Sequence, residues 1–347
     1  MNLVTGATGL LGSHVVLKLL QQGKTVVAAK QSSSDLSKIK HCFSYYTKDV
    51  ETLFNKIKWV DLDITDVYSI EEALKGIEHV YHCAGFVSFL EKDFPKLTLL
   101  NETGTANLVN ACVANLPDGK AGKITSFCHV SSLSTINNAD YEGELSERIF
   151  WKTSGKESSY AISKYNAERE VWRGIEEGLN AVIVNPGFIL APGFWKQSSG
   201  KIFSFCKKGN MFYTDGSTAY VDVNDVVEVM VQLMDKQIFN ERFILVENSY
   251  TFKDIFTQIQ KKFGKPAPFF KSGKFLLQLG RMADGILSKI TGKDRVLTSN
   301  TIRTAVGHKK YSNSKVKSAL SFSFKPVNEV LNGICEHFEN DLKSGRI

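Results

Sequence analysis

Short apolar runs bounded by Gly, Asn, Asp or Ser occur at Asn2–Thr5, Thr25–Ala29, Trp59–Leu62, His79–His82, Ile124–Val130, Ala181–Val184 and Arg242–Val246. They read as strands buried on both faces. Between them apolar positions recur at three- and four-residue steps, as in Ser13–Gln22, Ser69–Lys75, the stretch around Asn101–Asn115, Tyr160–Trp172 and Asp222–Met234. That is the spacing of one helix face. Strands alternating with helices predict an α/β chain with a parallel, doubly wound sheet, because parallel neighbours need a crossover helix between them. From Thr251 onward the spacing is helical, with a break at Lys265–Pro268 that predicts a boundary.

The first strand runs straight into GATGLLG, with Gly6, Thr8, Gly9, Leu10, Leu11 and Gly12, and then into a helix. Strand, glycine turn and helix in that order form a dinucleotide fingerprint, since small residues let the backbone approach a pyrophosphate that rests on the helix N-terminal amides. The glycines are spaced three and three instead of as GxGxxG, and Gly23 predicts the helix end. A dinucleotide-binding Rossmann domain is expected from residues 1–185, with 217–247 returning to it. Residues 186–216 and 248–347 are expected to form a smaller, mostly helical C-terminal substrate-binding domain. The second strand should end beside the adenosine ribose, where an acid would bind both hydroxyls of NAD. This chain has Lys30, then Gln31 and three serines. A cation among hydroxyls suits the 2′-phosphate of NADP, expected in preference to NAD; the alternative is a solvated Lys30.

Composition narrows the class. At 347 residues, 43% hydrophobic and 23% charged, the chain can bury a full core and has the make-up of a soluble enzyme. No apolar run approaches the roughly 20 residues of a membrane span, and no basic-then-apolar leader opens the chain, so a cytoplasmic location is expected. Six scattered cysteines without a CxxC pair predict buried thiols, with neither disulfides nor a zinc site. His14, His79, His82 and His129 lack HxH or HxxxH spacing and read as structural, so no metal is expected. The net charge of +7 is uneven: residues 250–347 hold 18 Lys+Arg against 7 Asp+Glu, leaving 25 against 29 in residues 1–249.

The candidate chemistry lies in SSYAISKYNAE, from Ser158 to Glu168. Tyr160 and Lys164 stand four apart, which stacks them on one helix face. There the ammonium can favour phenolate and lower the tyrosine pKa, making Tyr160 a proton donor or acceptor toward a carbonyl or alcohol. An ordinary surface helix could carry the same pair.

TGATGLLG, DITD at Asp63–Asp66, HCAG at His82–Gly85, NETGTANLVNA from Asn101, HVSS at His129–Ser132, YAISK, NPGFILAPG from Asn185 and YVDVNDV from Tyr220 together resemble the extended short-chain dehydrogenase/reductases, of the NAD(P)-dependent epimerase/dehydratase type. The resemblance spans about the first 230 residues in family order. It implies that Tyr160 is the general acid/base, that Lys164 tunes it and holds the nicotinamide ribose, and that Ser132 hydrogen-bonds the reacting oxygen, with Ser131 as the fallback. It further implies that Asp63 and Ile64 bracket the adenine, that Ala84 and Gly85 line the cofactor channel, that Asn101 lies near the nicotinamide end, and that Pro186 to Phe188 contact the carboxamide. Within the family the chain is most similar to the dihydroflavonol reductase-like group. Leu133 after Ser132 differs from the acid of the sugar-nucleotide dehydratases, and LSTINNA differs from the VYG turn of the epimerases. The tail from His308 to Pro326 loosely resembles that group as well.

An NAD(P)-dependent oxidoreductase acting on a ketone or aldehyde of a hydrophobic small molecule is therefore expected. A nucleotide-sugar epimerase and a non-catalytic NAD(P)-sensing protein are the alternatives. Phe86 and Ser88, directly after the fourth strand, are expected to meet the substrate together with Ser132. The aromatics between Phe188 and Tyr213 suit either a flat ligand or core packing. Phe275, Leu279, Met282, Ile286 and Ile290 recur at helical steps among Lys271, Lys274, Arg281 and Lys289. Such a stripe packs on its own domain or lies on an anionic membrane. The basic charge of residues 250–347 suits an acidic substrate such as an acyl-CoA or sugar nucleotide equally well, and no nucleic-acid-reading motif accompanies it. A homodimer is expected through the helices around Leu100–Val113 and Tyr160–Trp172, as in the family.

Overall fold

All seven predicted strands form, and hydrophobic runs flanked by turn residues explain why: the inner strands are buried on both faces between helices, while the edge strand Lys58–Asp61 has exposed ends and a half-buried middle. The structure, a computed structural model, describes residues 1–117, 123–137, 141–197, 199–291, 295 and 298–347. Numbered within the central sheet, the strands are β1 (Asn2–Thr5), β2 (Val26–Lys30), β3 (Lys58–Asp61), β4 (His79–His82), β5 (Ser126–Val130), β6 (Ala181–Pro186) and β7 (Glu241–Leu245). Their order is β7-β6-β5-β4-β1-β2-β3, with every neighbour parallel. The order reverses between β1 and β4, and in such sheets ligands bind beyond the strand C-termini at that point.

Helices cover both faces. On one, Val15, Val16 and Leu19 of helix Leu10–Gln21 and Val226, Met230 and Leu233 of helix Val223–Asp235 share a core with Val4, Ala28 and Val184. On the other, Ile70, Leu108, Val109 and Val171, from helices Val67–Leu74, Gly104–Ala114 and Ser159–Glu176, pack on Leu3, Val80 and Ile183. Helix Ser159–Glu176 starts where Ser158 Oγ accepts the Ala161 amide at 3.1 Å, a local N-cap. Its buried face is unusual, because Lys164 and Glu168 sit among Ala161, Ala167 and Val171.

A second core, with Leu190, Trp195, Phe203, Tyr220, Ile255, Ile259, Val330 and Phe338, belongs to the C-terminal half. It absorbs Trp195 and Phe203, while Phe205 and Phe212 stay exposed, so the aromatic stretch divides between core and surface. Ser217–Asp222 does not join the central sheet; it pairs with Phe188–Leu190 and Asn248–Thr251. The return to the central sheet thus begins with helix Val223–Asp235. Val316 and Leu320, from helix Ser314–Leu320, enter the same core as β1 and β7, so part of the C-terminal segment packs on the central sheet. The six cysteines are free. Among the described residues no helix is long and apolar enough to cross a membrane.

Candidate active site

β1 ends at Thr5 and the chain turns at Gly6, with φ of 63°. A Cβ on Gly6 would lie 2.6 Å from the Ala84 nitrogen, and one on Gly12 only 2.1 Å from the Gly6 oxygen. Turn, helix and the end of β4 therefore meet as bare backbone. Gly9 caps helix Leu10–Gln21 without a side-chain bond, and the first intrahelical bond runs from Ser13 N to Gly9 O at 3.0 Å. The amides of Leu10, Leu11 and Gly12 precede it, so they face out of the positive helix end. Gly9 is exposed and Thr8 and Leu10 half-buried, whereas the Leu11 side chain lies in the core and can contribute only its amide. The cradle fits a pyrophosphate.

Past β5 the two serines diverge. Ser131 Oγ donates to Glu168 Oε2 at 2.6 Å, which commits it to the protein. Ser132 Oγ accepts the Ser134 amide at 3.2 Å and lies toward Tyr160: burial raises the tyrosine pKa, and the contact with Ser132 opposes that rise. Lys164, 5% exposed, donates from Nζ to the Val130 carbonyl at 2.7 Å. Burial pulls its pKa down to about 8, with the Glu168 carboxylate and the Cys83 thiol acting the other way. The expected electrostatic lowering of Tyr160 by Lys164 is therefore not the controlling influence. The ammonium is turned to a strand carbonyl, and burial outweighs the Ser132 contact.

Glu168 was not singled out from the sequence, yet it gathers the site's scaffold. Its Oε2 accepts from Ser131, Thr135 Oγ1 at 2.8 Å and Asn185 Nδ2 at 2.9 Å. Its Oε1 pairs with Arg242 Nη1 at 3.0 Å, and Arg242 also donates to the carbonyls of Glu147 and Ile149. One carboxylate thus ties helix Ser159–Glu176 to β5, β6 and β7. An acid one turn beyond Lys164, on the helix's apolar face, was the available signal.

Asn101 lies in a π-helical turn, Thr98–Thr103, a feature frequent at functional sites. Its Oδ1 accepts the Phe86 amide at 2.7 Å, and Nδ2 donates to the Phe86 carbonyl at 2.9 Å and to Ser163 Oγ at 3.0 Å. That use fills both Nδ2 hydrogens, so Asn101 clamps the segment after β4 onto the catalytic helix. A Cβ on Gly85 would lie 3.5 Å from Asn101 Oδ1 and 4.0 Å from Lys164 Nζ, which puts these three together. Phe86 lies under the Lys96 ammonium, 4.5 Å from its ring. Ser88 Oγ donates to Asp93 Oδ2 at 2.5 Å and accepts the Leu90 amide at 3.2 Å, so it shapes the turn. Phe89, which the sequence did not mark, is 45% exposed with its ring edge-on to Tyr160 at 5.7 Å. Pro186 closes β6, and the exposed Phe188 ring meets Tyr220 at 5.4 Å.

At the adenosine end, Lys30 Nζ is 2.5 Å from Asp61 Oδ1, on the last residue of β3. Asp63 accepts the Thr65 amide at 2.9 Å and hydroxyl at 2.7 Å, bonds that hold its carboxyl below the usual range. Ile64 is buried against Gly104, where a Cβ would lie 2.6 Å from Ile64 Cγ2. His82 bridges Thr5 and Thr105, and burial drops its pKa to about 3, so it is a neutral structural bridge. Among the described residues no three His, Cys, Asp or Glu side chains group as a metal site.

A family model described as "NAD dependent epimerase/dehydratase family" matches residues 2–244, a span that includes the glycine turn, Ser132, Tyr160 and Lys164. The chain belongs to this family. Its members are NAD(P)-dependent enzymes, acting on small molecules. Curated relatives include sterol demethylase protein B of Methylococcus capsulatus, 29% identical over 270 residues, covering 77% of this chain and 75% of the relative. A putative dihydroflavonol 4-reductase of Synechocystis is 25% identical over 345 residues, covering 97% and 94%. The yeast methylglyoxal/isovaleraldehyde reductase Gre2, solved with NADPH, superposes with a TM-score of 0.74 at 17% identity over the whole of both chains. Sugar-nucleotide epimerases are also among solved structures of this fold.

Proposed function

We propose that this family member is an NADP-dependent reductase of a ketone or aldehyde on a hydrophobic substrate. The observation that carries the reading is the meeting of the Ser132 and Tyr160 hydroxyls at the C-terminal edge of the sheet, with buried Lys164 behind them. The glycine turn would hold a nicotinamide cofactor, which would supply the hydride. Tyr160 gives its proton to the carbonyl oxygen, and Ser132 donates to the charge that develops there. Lys164 holds the nicotinamide ribose, Lys30 takes the 2′-phosphate in exchange for Asp61, and Phe86 and Phe89 close the substrate side. The relative named as a dihydroflavonol 4-reductase and the NADPH of the yeast reductase support this choice.

The test is NADPH consumption with hydrophobic ketones and aldehydes, followed by nicotinamide absorbance. Tyr160→Phe should lower turnover by roughly 10²–10⁴ while leaving NADPH affinity nearly unchanged. Equal turnover by the variant refutes the proton-donor role, and absence of turnover in the parent with NADPH still bound favours a sensor. Sugar-nucleotide epimerisation uses the same three residues, and the epimerase neighbours favour it as the second reading. Turnover of a sugar nucleotide without net cofactor consumption would establish it.

A further inference from the structure

Helix Lys274–Thr291 is amphipathic, yet the described part of its apolar side finds no cover. Phe275 is 75%, Leu279 47% and Met282 64% exposed, and their four- and three-residue spacing sets them on one face. Ile286, Lys289 and Ile290, which continue the sequence pattern, lie outside the described side chains. The uncovered surface extends beyond the helix. Strands Phe212–Tyr213 and Phe270–Lys271 pair and hold Phe212, Phe269 and Phe270 in ring contact, at 5.9 Å for Phe212 to Phe270 and 4.5 Å for Phe269 to Phe270, all three exposed. Of the 19 large hydrophobics exposed among the described residues, nine fall between Phe205 and Met282. Concentration of this kind marks an interaction surface and not scattered exposure.

Charge decides what it meets. Residues 261–310 hold 12 Lys+Arg against 2 Asp, a net +10, and Lys261, Lys262, Lys265 and Lys274 are exposed. Lys271 is paired with Asp215. A second copy of the chain would bring like charge against like across this face. An anionic lipid surface complements both features, taking the apolar side chains at the acyl boundary and the ammonium groups at the headgroups. We propose that this face docks the protein on anionic membranes, with helix Lys274–Thr291 lying in the plane of the interface.

The surface is also linked to the catalytic helix. Arg281 Nη1 donates to Ser299 Oγ at 2.6 Å, at the start of helix Ser299–Val306, and Arg303 of that helix donates to the Lys156 carbonyl, two residues before the Ser158 cap. These contacts join the docking helix to the segment that enters helix Ser159–Glu176, and a bilayer is a source of a carbonyl compound that partitions into lipid. The substrate clause rests on the reductase reading; the docking does not.

Flotation of the purified full chain with vesicles tests it. The protein should float with phosphatidylcholine vesicles containing phosphatidylglycerol at low salt, stay behind with phosphatidylcholine alone, and be released by salt. Phe275→Ser with Leu279→Ser should weaken partitioning by roughly ten-fold or more, and Lys265→Glu with Lys274→Glu should weaken it too, each with NADPH binding preserved as a check on folding. No flotation with anionic vesicles at low salt overturns the proposal. So does flotation unaffected by both pairs of substitutions, or sedimentation showing a dimer that Phe275→Ser dissociates, which would make the face a subunit interface. Loss of turnover in Tyr160→Phe with flotation intact would leave docking standing and separate the two readings.

Discussion

Replacing Glu168 by Gln removes one charge from a site where five donors meet, from Ser131, Thr135, Trp172, Asn185 and Arg242. The carboxylate is 2% exposed and its partner Arg242 14% exposed, so water cannot substitute for what is lost. Whichever way the amide is set, one end fails. With its oxygen toward Ser131, Thr135 and Asn185, the NH₂ faces the Arg242 guanidinium; reversed, it faces three donors. Breaking one side of a buried ion pair costs about 3–5 kcal/mol, a large part of the roughly 5–15 kcal/mol that holds a domain folded. In urea, with a slope of about 3 kcal/mol/M, the midpoint should fall by about 1 M or more. Adding Arg242→Met should recover part of the loss, since the uncompensated guanidinium is then gone, and the cycle should give a coupling of about 1–3 kcal/mol. The carboxylate also supports the Lys164 ammonium, so in Glu168→Gln the Lys164 pKa should fall below about 8 and the alkaline limb of any pH profile that needs this ammonium should move to lower pH. A single variant within about 1 kcal/mol of the parent, or a strictly additive cycle, would refute the claim that Glu168 organises the scaffold.

Lys164 predicts a pH dependence of stability. Its folded pKa of about 8 lies below the ordinary lysine value of 10.5, so the unfolded chain binds the extra proton between those limits and stability should rise as pH rises through that window. The gain is roughly 3 kcal/mol at about 1.4 kcal/mol per pKa unit; if unfolding curves of the parent and Lys164→Met keep a constant gap from neutral to alkaline pH, the assignment fails. Gly12→Ala drives a Cβ to 2.1 Å from the Gly6 oxygen, and should abolish NAD(P) binding in fluorescence titration; ordinary binding would show that the turn opens readily. Asp61→Asn frees Lys30 and should lower the Kd for NADPH several-fold, whereas Lys30→Ala should raise it, each with little effect on NADH; equal shifts for both cofactors would remove the 2′-phosphate role.

Much of the fold and part of the site follow from local spacing. Runs buried on both faces predict seven strands, and glycines at three-residue steps after the first of them predict the turn, because positive φ and backbone contact are demands on single residues. Tyr160 and Lys164 share a helix face by geometry alone. What the chain order cannot supply is the partner of each polar group. Lys30 meets Asp61 only because β2 and β3 are neighbours. Ser131 is drawn to Glu168, and Ser132 left for Tyr160, only once β5 and the catalytic helix are packed. Asn101 bonds inward for the same reason, and a helix whose spacing suggests a packed stripe ends with the described part of that stripe uncovered. Periodicity reports which face of an element is apolar; whether another surface, a carboxylate or water lies against that face is settled by contacts between residues far apart in the chain, and those exist only in the folded molecule.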